Sequence, residues 1–139
     1  MSSAEIYTLP EFGPIIGVLD AVLSEVNLGL LIYHLEDTQD PTTLKLVYAN
    51  REAARCTGLE MKPRLGKFIL DAFPPLENTD LPRIFTEVVT EQASRRIEVP
   101  YAEDGESVDY SVRAFPMPAN CVGVLFERRG QSEETIGPA

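Results

Sequence analysis

The chain has 139 residues, with 22 acidic against 12 basic side chains and a net charge of -10 at neutral pH. That balance argues against a nucleic-acid partner, whose phosphates it would repel, and against an anionic membrane surface. Its 44% hydrophobic and 24% charged residues fit one soluble domain long enough to bury a core.

No apolar run reaches bilayer length, and the N-terminus lacks the basic-then-apolar pattern of a signal peptide. Cys56 and Cys121 are too few for a disulfide framework and have no metal-ligand spacing. Two reduced thiols in a cytoplasmic protein, with no metal, are therefore expected.

Residues 1–11 show no periodicity and read as a loose arm. A helix is expected over 12–27, with Pro14 near its start, where a missing amide does no harm. Phe12, Ile15, Ile16, Leu19, Val22, Leu23 and Val26 recur three and four apart on it. Asn27-Leu28-Gly29 supplies the stop. This long stripe predicts a flanking helix that pairs two copies of the chain, and packing on its own domain is the alternative.

Leu30 to Leu35 is a short apolar run suited to a strand. The polar loop after it carries Glu36, Asp37 and Asp40, without the ligand spacing of a calcium loop. A second strand, Leu44 to Ala49, leads through Asn50, a good N-cap, into a short helix with Ala53, Ala54 and Thr57 on one face. Gly58 stands where a left-handed C-cap is wanted. Gly66 precedes another short helix bearing Phe68, Ile69, Ala72 and Phe73, which Pro74-Pro75 stops.

Asp80 and Pro82 suit the start of a longer helix. Leu81, Ile84, Phe85, Val88 and Val89 form its apolar face. Three strands follow. Ile97, Val99 and Tyr101 alternate up to a turn at Glu103-Asp104-Gly105, and Val108, Tyr110, Val112 and Ala114 alternate up to Phe115-Pro116-Met117-Pro118. Cys121 to Phe126 is apolar on both faces and so suits a covered, central strand. Residues 130–139 read as a disordered tail.

The order of strand, Tyr48-Ala49-Asn50, small helix, Gly58-Leu59, then Arg64-Leu65-Gly66-Lys67-x-Ile69-Leu70-Asp71-x-Phe73-Pro74 resembles the central segment of a PAS sensory domain. In that family the counterparts of Asn50, Gly58 and Gly66 recur at the chain reversals that wrap short helices over a sheet. The resemblance runs to about Arg129, and Lys62-Pro63 departs from it. It implies an α+β fold, a five-stranded antiparallel sheet with short helices and one long helix on one face, over 28–129. It also implies a non-enzymatic module that senses a ligand or partner and regulates an output domain such as a histidine kinase, as a homodimer.

Between sheet and helices the family has a pocket, with Phe68, Phe73, Ile84, Phe85, Val88, Tyr110, Val112 and Val124 as its expected walls. A small, mostly apolar ligand would suit them, although the same residues can also meet as a filled core. Flavin is not expected, because Gly66-Lys67-Phe68-Ile69-Leu70 lacks the cysteine of the flavin-binding light-sensing subgroup. Haem is not expected either, since the long helix has no histidine.

Catalytic residues are not expected, and a purely structural dimerisation module is one alternative. His34, the single histidine, lies in an apolar run far in sequence from both cysteines. A small enzyme built on it is the other alternative.

Overall fold

Strands form where apolar residues alternate or run together. The computed structural model describes residues 18, 21–23, 25–103 and 106–129. It contains β1 (Gly29–Leu35), β2 (Leu44–Ala49), β3 (Arg95–Glu103), β4 (Glu106–Met117) and β5 (Cys121–Arg128). These five pair antiparallel in the order β2-β1-β5-β4-β3, which gives the expected α+β architecture. β5 takes the central place, as its two apolar faces require.

Pro100 has no amide to give a ladder, and it lies on edge strand β3. The other edge is closed by the chain itself. Gly66 N donates to Leu46 O at 2.8 Å, and Leu46 N donates to Lys67 O at 2.9 Å. Open edges invite pairing with other chains, and this segment covers one.

Along β1, Leu31, Tyr33 and Leu35 enter the main core, whereas Leu30 and Ile32 belong to a smaller cluster on the opposite sheet face. β2 follows the same alternation only because of a bulge. Tyr48 pairs with Ile32 and Leu46 pairs with Tyr33, which leaves Val47 as the extra residue. The bulge keeps Leu44 and Leu46 inward while Tyr48 turns to the second cluster.

Between β2 and β3 lie α1 (Arg51–Thr57), α2 (Ile69–Ala72) and α3 (Leu81–Glu91), with 3-10 turns at Lys62–Arg64 and Pro74–Asn78. Asn50 caps α1 as expected and does more. Its Oδ1 accepts from Ala53 N at 2.8 Å and from Leu30 N at 2.9 Å, and its Nδ2 donates to Leu28 O at 3.1 Å. At 2% exposure this amide joins the start of the sheet to the start of the helices. Gly58 ends α1 at φ +74°, where its N–H donates to Ala54 O at 2.8 Å. Gly66 also adopts a positive φ, +83°.

α3 buries Leu81, Phe85, Val88 and Val89 and packs against β4 and β5. Its cap differs from expectation. Asp80 makes no side-chain cap bond and instead pairs with Arg83 at 3.2 Å, while the Thr79 hydroxyl accepts from Leu81 N at 3.2 Å.

Ahead of β1, residues 21–23 and 25–26 are helical. The helix stops at Asn27, whose φ is +58°, and Leu28 N donates to Leu23 O at 3.3 Å, the six-to-one bond of a left-handed C-terminal cap. The expected pairing stripe divides here. Leu23 packs on the second cluster of the sheet, while Val22 and Val26 stand 55% and 54% exposed. Phe12, Ile15, Ile16, Leu19, the arm, the tail and the Asp104-Gly105 turn lie outside the described residues.

Replacing Asn50 with alanine removes the α1 cap and strips partners from the Leu30 N–H and the Leu28 carbonyl. A loss of about 2–4 kcal/mol is expected. Urea denaturation of Asn50→Ala beside the parent measures it, and a change within about 0.5 kcal/mol, typical of an unconstrained surface site, would contradict the clamp.

Candidate functional site

Aromatic side chains from both layers meet over the inner face of the sheet without filling the space between them. Tyr33 of β1 lies against Phe85 of α3, with ring centroids 5.8 Å apart and planes tilted by 31°. Tyr110 of β4 meets Phe126 of β5 edge-on at 5.7 Å, and Phe73 meets Tyr101 of β3 edge-on at 6.4 Å. Rigid rings in tilted and edge contacts leave gaps that branched aliphatic residues would close. A cavity of about 80 Å³ remains between them.

Five of the eight expected walls line this cavity: Phe73, Phe85, Tyr110, Val112 and Val124. Three do not. Phe68 is 41% exposed, because the stretch that closes the β2 edge bridges Lys45 and turns Ile69 inward in its place. Ile84 sits half-buried on the flank of α3, and Val88 is fully buried without reaching the cavity. On β4, Tyr110 faces inward and Ser111 does not enter the core.

Sequence reasoning passed over Leu31, Tyr33, Leu59, Met61, Leu76, Tyr101 and Phe126, which also line the space. The β1 alternation placed Tyr33 with Leu31 and Leu35 on one face, and that was the available signal. Phe126 keeps its place because its cross-strand partner is Gly29, where an added Cβ would stand 2.6 Å from the ring.

The polar groups of the site are few. Thr57 lines the cavity, but its hydroxyl donates to Ala53 O at 2.7 Å. Tyr33 is 1% exposed. Burial, reinforced by nearby Tyr101, pushes its hydroxyl well above the ordinary tyrosine range, while the charge of Arg64 pulls the other way. Arg64 is held in place, with Nε donating to Glu60 O at 2.9 Å and Nη1 to Ala72 O at 2.5 Å. Its guanidinium stands 5.1 Å from the centre of the Phe73 ring.

His34 lies away from this cavity, with Nδ1 2.8 Å from Glu36 Oε2. The fold does bring it opposite Cys121, its partner across the β1–β5 pair. Cys121 is fully buried, and its thiol contacts Ala119 O at 3.6 Å, whereas nucleophilic cysteines are partly exposed thiolates. Among the described residues no group of three or more His, Cys, Asp or Glu is placed to hold a metal ion.

A family model described as a PAS fold matches residues 42–129. The chain belongs to the PAS fold family. PAS domains are sensory modules, and solved structures share this one's shape. A domain of a sensory box sensor histidine kinase/response regulator from Geobacter sulfurreducens matches 80% of the chain and 91% of its own length. The TM-score there is 0.61 at 11% identity.

The photoactive yellow protein domain of a sensor histidine kinase from Rhodospirillum centenum matches 77% and 96%, with a TM-score of 0.60 at 13% identity. A LOV protein of Rhodobacter sphaeroides matches 78% of this PAS chain and 62% of its own, with a TM-score of 0.59 at 16% identity. At these identities the likeness is one of fold. No curated protein matches the sequence.

The similarities establish no cofactor, and the expectation against flavin draws no support from a set that includes a LOV protein.

The raised Tyr33 hydroxyl has a consequence for stability at high pH. The unfolded chain loses the phenol proton from about pH 10 upward while the folded chain keeps it, so the unfolded state binds fewer protons and stability falls as pH rises. From Tyr33 alone the expected slope is about 1.4 kcal/mol per pH unit above about pH 10. Urea midpoints measured from pH 9 to 11.5 test this, roughly spanning that range. Tyr33→Phe should flatten the decline, and an unchanged decline in the variant would show that Tyr33 does not cause it.

Proposed function

We propose that residues 28–129 form a cytoplasmic PAS sensory domain that takes a small, largely apolar ligand between sheet and helices. In this reading the domain acts without catalysis and passes the bound state to an output domain, a histidine kinase being the favoured class. The observation that carries it is the apolar cavity of about 80 Å³ bordered by Tyr33, Phe73, Phe85, Tyr101, Tyr110 and Phe126 together with aliphatic side chains. Interiors ordinarily pack without such gaps. The kinship of fold with domains of sensor histidine kinases supports the choice of output.

The helical segment before β1 would join two copies. Val18, Val22 and Val26 recur four apart and are 63%, 55% and 54% exposed, so they form one apolar face turned from the sheet. Leu23 on the other side ties the same segment to Leu30 and Ile32 of β1, while Leu31 and Tyr33 of that strand border the cavity. Occupancy of the cavity and the seating of the helix thus share one strand. The proposed mechanism is a shift between two seatings, biased by the one that binds ligand better.

Two measurements test the parts separately. Sedimentation of Val22→Asp, Val26→Asp should give a monomer from a dimeric parent with the fold unchanged. A monomeric parent, or a variant that stays dimeric, removes the pairing helix. Native mass spectrometry of freshly purified protein and thermal shifts over a panel of small metabolites test the cavity. A bare mass with no thermal response to any compound favours a purely structural module.

A further inference from the structure

On the outer face of the sheet, away from the aromatic cavity, lies a recess of about 220 Å³ bordered by Leu28, Arg96, Ser111, Arg113, Leu125 and Glu127. The strand registers bring these residues together. Arg96 of β3 pairs with Arg113 of β4, which pairs with Leu125 of β5, while Ser111 pairs with Glu127 in the next row. Side chains two apart on a strand share a face, and Tyr110 and Val112 take the other one. The two rows stand about 7 Å apart, the rise of two strand residues.

The charges of this recess are unmatched. Like charges directly opposite across a ladder are destabilising, yet Arg96 and Arg113 stand so placed. Among the described residues neither arginine forms an ion pair, and neither does Glu127. Glu98, opposite Ser111 on β3, is engaged elsewhere, by Arg129 at 2.7 Å. Two forked donors suit a carboxylate, and the Ser111 hydroxyl adds a further donor. The Glu127 carboxylate one row away calls for a cation.

Net charge and size narrow the ligand. The chain's charge of -10 opposes the approach of a simple anion and leaves a ligand of no net charge unaffected. That favours a zwitterion. Leu28 and Leu125 offer apolar contact beside the charges. Scaled from the roughly 150 Å³ cavity that admits benzene, the 220 Å³ of the recess holds about nine heavy atoms.

We propose that the recess binds a free aliphatic α-amino acid of about the size of leucine. Arg96 and Arg113 take its carboxylate, Glu127 its ammonium group, and Leu28 and Leu125 its side chain. The site lies on the opposite sheet face from the sensory cavity and does not depend on that reading. The Leu28 carbonyl accepts from Asn50 Nδ2, so a ligand here touches the junction of the helical segment with β1.

Amide chemical-shift titration of the full chain with L-leucine tests this. The comparison probes are 4-methylpentanoate, which lacks the ammonium group, and 3-methylbutylamine, which lacks the carboxylate. L-Leucine should move the amides of Ser111, Arg113, Leu125 and Glu127 and leave those of Leu31 and Phe85 in place. Arg113→Gln should weaken L-leucine by about tenfold. Glu127→Gln should do the same without weakening 4-methylpentanoate. Both side chains lie outside the two apolar clusters, so neither change should disturb the fold.

L-Leucine that moves none of the four outer-face amides overturns the inference. Shifts at Leu31 and Phe85 instead would assign the amino acid to the sensory cavity and overturn it equally. If 4-methylpentanoate binds as tightly as L-leucine, Glu127 has no part and the amino-acid assignment falls. Binding of 3-methylbutylamine as tight as that of L-leucine removes the arginine pair in the same way.

Discussion

A single amide oxygen, Asn50 Oδ1, accepts the Leu30 N–H of the sheet and the Ala53 N–H of the first helix, while Nδ2 of the same side chain donates to Leu28 O. The asparagine amide carries an acceptor oxygen with two lone pairs and a separate NH2 donor on the same carbon, so it can take two N–H groups and give one at once. With water excluded, each of these backbone groups would be costly to leave unmade. The helical layer therefore leaves the sheet at one angle. From there Gly58 turns the chain, the Gly66 stretch closes the β2 edge, and α3 comes to lie over β4 and β5.

The clamp matters for function because it sets the distance between two layers that do not fill the space between them. Tyr33, Phe73, Phe85, Tyr110 and Phe126 meet at tilted or perpendicular angles, and such contacts hold rings apart as firmly as they hold them together. The sheet is packed on both faces, with Ile32 in one cluster and Tyr33 in the other. A displacement of β1 by a ligand would be felt on the far side, where Leu23 rests.

Much of this fold is legible in the chain because local chemistry and the tertiary plan agree. Asn50, Gly58 and the stripe of Leu81, Phe85, Val88 and Val89 announce themselves by type and spacing, as does a strand apolar on both faces, Cys121–Phe126. The bulge at Val47 does not, since an apolar run of Leu46-Val47-Tyr48 conceals which member is extra. Phe68 misleads in the opposite way. An apolar residue beside a helix start suggests a wall, yet the bridge to Lys45 turns it out and Ile69 in.

The candidate site was harder to see than the fold. Which of its walls meet depends on pairings distant in the chain, such as Gly29 with Phe126. Tyr33 is hidden within the run Leu30 to Leu35, where only the register of two neighbouring strands decides which face it serves. The link between His34 and Cys121 likewise exists only across the β1–β5 ladder.

Native-state hydrogen exchange at two amides reaches the clamp most directly. Leu30 N–H and Ala53 N–H share one acceptor, so both should exchange with the same free energy, close to that of global unfolding. If the Ala53 amide exchanges freely while Leu30 stays protected, the helices are not anchored to the sheet through Asn50, and the account of how the cavity is held open fails.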